Sequence, residues 1–339
     1  MQLESKKKDR NVTKRVGNTP LIKLGKLFEN NEVYAKLEWC NPSGSLKARP
    51  AAWMLYDNEK NGNIIPNKTT IIEPTSGNTG VALSYFAKEL GYKIDLTVPE
   101  RISDETKKIL RDQGANVMET EDDLCPRVGP GTDQAIALAD ALLKNHPDKY
   151  FSPNQYQSES NFRSHYNATG PEIWNETEGR IKTFITGIGT GGTITGVGTY
   201  LKEKNPDIKI IAIEPQKNHN IQGLRNLEES DRPELLKKRE NVIDQSIEVS
   251  DDESFKMIKK LYEKENIFAG PSSGAVLAAL NKIISKIETP VVLIFGDNAV
   301  KYKSVYTKFN VFSEEEYENN MKNSNCSCQT DYCNNMTNS

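Results

Sequence analysis

Short β-branched runs alternate with helix-like stretches along most of this chain, and that alternation limits the fold more than any other feature. The runs cover residues 33–39, 69–74, 94–99, 116–119, 183–187, 209–214 and 291–295. Helical stretches at 48–60, 79–90, 104–113, 132–144, 193–204, 252–265 and 275–286 separate most of them. Strands interleaved with helices predict an α/β protein with largely parallel sheets. Several runs are apolar throughout, Ile210 to Ile213 among them, as strands covered on both faces should be. At 339 residues the chain has room for about two domains, with cores that need no metal or disulfide staple.

Composition removes several function classes. Lysine and arginine total 44 against 47 aspartate and glutamate, a net charge of −3. A protein that grips a polyanion normally carries a basic excess, so nucleic acid is not an expected partner. The apolar runs fall far short of a bilayer span, and the polar, charged residues 1–10 do not read as a secretory signal. The expectation is cytoplasmic, with no membrane partner. His146, His165 and His219 are scattered, with no His-x-x-x-His pair, which argues against zinc hydrolysis. Cys40 and Cys125 stand apart, while Cys326, Cys328 and Cys333 cluster near the end. That odd, uneven set is no disulfide framework and fits a reducing compartment. Three ligands are also one short of a closed zinc site, so no metal is expected.

Four turns rich in glycine and hydroxyls sit at junctions where a ligand could bind, the first three between a strand and a helix and the fourth at the entry to a helix, and open α/β sheets bind ligands outside the carboxyl ends of their strands. The first is Asn41-Pro42-Ser43-Gly44-Ser45-Leu46-Lys47. A lysine on a rigid turn facing a cleft loses solvation, which lowers its pKa and makes its amine a nucleophile for a carbonyl. Taken alone, Lys47 is more simply one surface lysine among many. The second, Thr75-Ser76-Gly77-Asn78-Thr79-Gly80, could cradle a carboxylate, although the same residues cap helices. The third runs Thr186-Gly187-Ile188-Gly189-Thr190-Gly191-Gly192-Thr193. Its glycines let backbone N–H groups approach a phosphate at a helix N-terminus. It also satisfies Gly-x-Gly-x-x-Gly, with Glu214 at the end of the next strand, so a nicotinamide-dependent dehydrogenase is a competing reading. The fourth, Gly270-Pro271-Ser272-Ser273-Gly274, could direct a hydroxyl at a ring nitrogen or simply cap a helix. A dehydrogenase uses only the third turn. A phosphorylated aldehyde uses all four.

In this order the four motifs resemble the pyridoxal-phosphate enzymes related to the tryptophan synthase β-subunit, within them the cysteine synthases and cystathionine β-synthases. The resemblance covers about residues 12–310. It implies a two-domain fold type II enzyme with pyridoxal 5'-phosphate in the interdomain cleft. Residues 40–150 would form the smaller, mobile domain, 10–39 with 151–312 the larger, and 313–339 a polar disordered tail. Lys47 would be catalytic, tethering the cofactor and moving the substrate's α-proton. Asn78 would bond the ring hydroxyl, and Ser272 would face the ring nitrogen. Gly189, Thr190, Gly191, Gly192 and Thr193 would hold the phosphate. Thr75, Ser76, Thr79 and Gln155 would bind the substrate carboxylate. The segment from His165 to Ile173 also matches, mostly as architecture.

The implied reaction is β-replacement on an activated serine by a sulfur nucleophile, giving L-cysteine by ping-pong kinetics. The segment Gly223-Leu224-Arg225-Asn226-Leu227-Glu228 resembles the cysteine synthases that use O-phosphoserine. Arg225 would bind that substrate's phosphate, for which an arginine fork is well suited; O-acetylserine comes next. On a bland reading Arg225 pairs at the surface with Glu228 or Glu229. Cystathionine formation from homocysteine is the alternative within the class. A homodimer acting on small amino-acid substrates is expected by analogy. Departures from the family pattern fall at Ala48, where aspartate is usual, at Gly296-Asp297-Asn298-Ala299, and at Lys301, where arginine is usual. They leave the nucleophile open.

Overall fold

The computed structural model describes residues 10–75, 77–100, 102–121 and 134–324. Two sheets organise the chain. The larger carries, in spatial order, β1 (Leu21–Lys23), β2 (Val33–Leu37), β10 (Val291–Phe295), β7 (Thr183–Gly187), β8 (Lys209–Pro215) and β9 (Gln245–Val249). The smaller runs β5 (Asn116–Thr120), β4 (Lys93–Pro99), β3 (Thr70–Pro74) and β6 (Tyr150–Phe151). Among the described residues every strand pairing within these sheets is parallel except that of β1 with β2.

Side-chain alternation explains how the larger sheet is covered on both faces. Along β10, Val291, Leu293 and Phe295 join one core cluster, while Val292 and Ile294 join another. The period of two sends successive residues to opposite faces. Helices Asp251–Glu265 and Pro271–Ile283 close the first face through Ile258, Leu261, Leu277 and Leu280. Helix Gly192–Lys204 closes the second through Ile194, Val197 and Leu201. On the smaller sheet, helices Ala48–Lys60 and Asn78–Leu90 bring Leu55, Leu83 and Phe86 against Ile71 and Leu96. Each such burial stabilises by about 1.5–3 kcal/mol. With parallel strands, the carboxyl ends of the neighbours β2, β10 and β7 all emerge on one side; the first special turn follows β2 and the third follows β7, while the second follows β3 of the smaller sheet and the fourth lies between helices Asp251–Glu265 and Pro271–Ile283.

Several expectations need correcting. The run 33–39 stops as a strand at Leu37 and continues as a 3-10 turn, Glu38–Cys40, because Glu38 is drawn inward to a buried arginine. Part of the supposed disordered tail is ordered: Glu314–Asn323 is a helix opened by a Ser313/Glu316 capping box. It docks through Tyr317, which is buried and donates its hydroxyl to Ala299 O at 2.7 Å. Cys40, taken as an isolated thiol, is disulfide-bonded; sequence spacing carries no record of which cysteines a fold brings together. Cys125, Cys326, Cys328 and Cys333 lie outside the described residues. No helix among the described residues is long and apolar enough to cross a membrane.

Candidate active site

Lys47 ends the turn that follows β2 and immediately precedes helix Ala48–Lys60. The turn is tied down along its length. Gly44 N donates to Asn41 O at 2.8 Å, and Leu46 N donates to Gly296 O at 2.8 Å, just beyond β10. Asn41 is held in turn, donating Nδ2 to Glu38 O and to Glu38 Oε2 and accepting from Gly17 N. Beneath it lies a buried charge network. Arg49 makes two bonds to Glu38, at 2.7 and 2.8 Å, two to Glu172, both at 2.7 Å, and one to Thr19. Arg49 and Glu38 are fully buried. The guanidinium and Lys36 outweigh burial at Glu172 and hold its carboxyl down to about 2. Desolvation lowers the pKa of the Lys47 amine, opposed by Asp297 and Glu38 and assisted by Lys301.

The glycine turn after β7 forms the next wall. Gly191 has φ +82° and caps helix Gly192–Lys204, a left-handed conformation that glycine adopts without a Cβ penalty. At Gly189 an added Cβ would lie 2.5 Å from Gly223 O, so only glycine fits that approach. The hydroxyls here are oriented from behind. Asn161 Nδ2 donates to Thr190 Oγ1 at 3.0 Å, and Thr193 Oγ1 lies 3.3 Å from His165 Nε2. Burial, with Arg49 and Lys47 nearby, pushes the His165 pKa well down.

After β3, Gly77 precedes helix Asn78–Leu90 with φ +144°. Thr75 Oγ1 accepts from Gly77 N and Gly80 N, both at 3.2 Å, which ties the turn to the start of the helix, although the helix's cap is Gly77 and carries no side-chain cap bond. Thr79 Oγ1 donates to Gln155 Oε1 at 2.6 Å. Gln155 is itself placed by Glu73, whose carboxylate accepts from Gln155 N at 2.9 Å and Asn154 N at 3.0 Å. Burial pushes the Glu73 pKa up to about 7 despite those bonds. At the fourth turn Gly270, not a serine, is the cap of helix Pro271–Ile283, so the capping reading fails for Ser272.

These walls border two adjoining open cavities that share Lys47, Asn78, Gly189 and Thr190. The first also carries Thr75, Thr79, Gln155 and Arg225. The second also carries Gly191, Thr193, Ser272 and Asp297. Gly192 begins the helix behind the wall rather than lining it, and Ser76 lies outside the described residues. Arg225 is buried, its guanidinium carbon 4.3 Å from the Tyr156 ring centroid. Arg225 is therefore not a surface arginine, and Glu228 pairs with Lys217 while Glu229 accepts Asn218 N. Glu214, the acid of the dinucleotide reading, accepts Leu227 N and lines a separate cavity.

Sequence reasoning did not single out Gln222, Tyr156 and Thr106 as wall residues. Tyr156 follows Gln155 directly, and the pair Gln222-Gly223 sits just before Arg225; only those adjacencies could have signalled them. Asp297 and Lys301 stood out only as departures from a pattern. Together they form a buried cluster with Asn78 and Tyr302.

A family model described as pyridoxal-phosphate dependent enzyme matches residues 12–297. A cysteine synthase of Aquifex aeolicus (strain VF5) is 39% identical over 302 residues, covering 86% of this chain and 90% of that protein. Cysteine synthase A of Escherichia coli (strain K12) is 36% identical over 330 residues, covering 89% and 96%. Among solved structures, a hydrogen sulfide-producing enzyme of Fusobacterium nucleatum superposes with TM-score 0.78 at 34% identity, covering 86% of this chain and 98% of that one. An O-ureido-L-serine synthase superposes with TM-score 0.80 at 29% identity, covering 91% and 98%. These matches exclude the nicotinamide reading, and the chain belongs to the pyridoxal-phosphate dependent enzymes, with the fold type II architecture and pyridoxal 5'-phosphate as its cofactor.

Proposed function

We propose that this enzyme makes L-cysteine by β-replacement, taking O-phosphoserine ahead of O-acetylserine and adding a sulfur nucleophile. The observation that carries the reading is the placement of Arg225 on the same cavity as Lys47 and the Thr75–Gln155 corner. The cavity therefore has a cationic fork in addition to its glycine nest. An O-acetyl substrate has no use for that fork, whereas a phosphate dianion matches it.

The site fits its cofactor. A lysine with a lowered pKa, a glycine turn that no side chain could replace at Gly189, and a hydroxyl at Ser272 meet in one space. When bound, pyridoxal phosphate withdraws electrons from the amino acid's α-carbon. In this reading Lys47 tethers the cofactor and its Nζ moves the α-proton, which a neutral amine can accept. Backbone N–H groups and hydroxyls of Gly189, Thr190, Gly191, Gly192 and Thr193 hold the cofactor phosphate. Asn78 bonds the ring hydroxyl, and Ser272 faces the ring nitrogen. Thr75, Ser76, Thr79 and Gln155 bind the substrate carboxylate. Arg225 neutralises the departing phosphate. Residues 40–150 act as the smaller domain that brings the lysine and carboxylate corner to the cavity. The enzyme works as a cytoplasmic homodimer.

The test compares both substrates in wild type and Arg225→Met. Losing a charge-assisted contact worth about 1.5–3 kcal/mol lowers kcat/KM for O-phosphoserine by about 10–150-fold and leaves O-acetylserine within about threefold. Equal losses on both substrates would refute the phosphate role.

A further inference from the structure

Behind the cavity wall sits a second buried lysine. Lys301 lies on the 3-10 turn Ala299–Lys301 and is 1% exposed. Its Nζ donates to Asn78 Oδ1 and stands 3.4 Å from Asp297 Oδ2. Asp297 is equally buried, and the same oxygen accepts Asn78 Nδ2 at 2.8 Å and the Tyr302 hydroxyl at 2.6 Å. Both ends of the Asn78 amide are therefore engaged. An ammonium only donates and a carboxylate only accepts. Turning the amide over would set NH2 against an ammonium and a carbonyl oxygen against a carboxylate. That reversal is strongly disfavoured in a low-dielectric interior.

We infer that Lys301 is a positioning residue that, with Asp297, locks the Asn78 amide so that its remaining N–H faces the cavity as a donor. Lys301 itself is not on the cavity wall, whereas Asn78 lines both cavities. The inference rests on the reading of Asn78 as the partner of the cofactor's ring hydroxyl. A fixed donor at that oxygen favours its ionised form, which absorbs at longer wavelength than the neutral form. The ionisable groups around Asn78 are Lys47 from the turn after β2, and Asp297, Lys301 and Tyr302 from the segment after β10. Burial lowers the Lys301 pKa while Asp297 opposes the change.

The test uses holoenzyme of wild type, Lys301→Met and Lys301→Arg at one pH. In Lys301→Met the ratio of short- to long-wavelength cofactor absorbance rises about threefold or more. Its kcat falls about tenfold, with KM for the amino acid within about threefold. Lys301→Arg, which keeps charge and donors, restores both. Should Lys301→Met not fold, Asp297→Leu removes the acceptor at the other end of the same amide and shifts the ratio in the same direction. Wild-type ratios in both variants would overturn the inference while leaving the functional reading intact, provided that the wild-type colour is lost in Lys47→Ala. A wild-type protein that takes up no cofactor would overturn both.

Discussion

Arg49→Met should expose how the active-site turn is supported. Arg49 contributes five hydrogen bonds, two of them to Glu38, whose side chain is fully buried. Glu172 keeps Lys36 at 3.0 Å after the change, so its loss is partly compensated. Among the described residues Glu38 keeps as hydrogen-bond donors only the neutral Thr19 Oγ1 and Asn41 Nδ2 and becomes a buried carboxylate with no cation bonded to it. Breaking one side of such a pair costs about 3–5 kcal/mol. The double variant Glu38→Gln/Arg49→Met removes the stranded charge and should recover about 2 kcal/mol or more of that loss. Urea unfolding of the cofactor-free proteins, followed by tryptophan fluorescence, reads both values, and Trp39 is buried next to Glu38. Cofactor-free protein avoids the stabilisation that binding would add. A loss under about 1 kcal/mol for Arg49→Met, or no recovery in the double variant, would refute the reasoning.

Glu73 should give stability a pH slope. Its folded pKa near 7 stands above its ordinary 4.5, so between those values the native state holds a proton that the unfolded chain has lost. The contribution is complete below about pH 4.5 and is lost as pH rises through about 7. Relative to Glu73→Gln, wild type should lose about 3 kcal/mol between pH 4.5 and 8; parallel urea midpoints for the two proteins across that range would contradict it. Gly189→Ala puts a Cβ 2.5 Å from a backbone carbonyl, a strain of about 1–3 kcal/mol. Spectroscopic titration should show cofactor affinity weakened by about tenfold, and an unchanged Kd would remove Gly189 from the phosphate cradle.

The parallel strands were legible because burial on both faces leaves an apolar run, as in Val291–Phe295, buried at every position. The special turns were legible because close backbone approach and helix starts demand glycine and hydroxyls, so Gly189, Thr190 and Gly191 announce themselves. Helix Glu314–Asn323 was missed because little beyond Tyr317 and Met321 packs inward; its capping box, Ser313 to Glu316, was the available signal. The two-residue strand β6 is too short for any period. Gln222, Tyr156 and Lys301 come from separate segments whose meeting depends on tertiary packing. Glu73 falls within the run 69–74 and was not singled out, since neither its burial nor its grip on Gln155 leaves a pattern along the chain.

The central claim is that Lys47, and no other lysine, carries the cofactor. Holoenzyme is reduced with borohydride, which makes the link permanent, then digested, and the labelled peptide is located by mass spectrometry. The account predicts a phosphopyridoxyl group on Lys47 and none in Lys47→Ala. A label on Lys301 or another lysine, or an unlabelled protein, would contradict it.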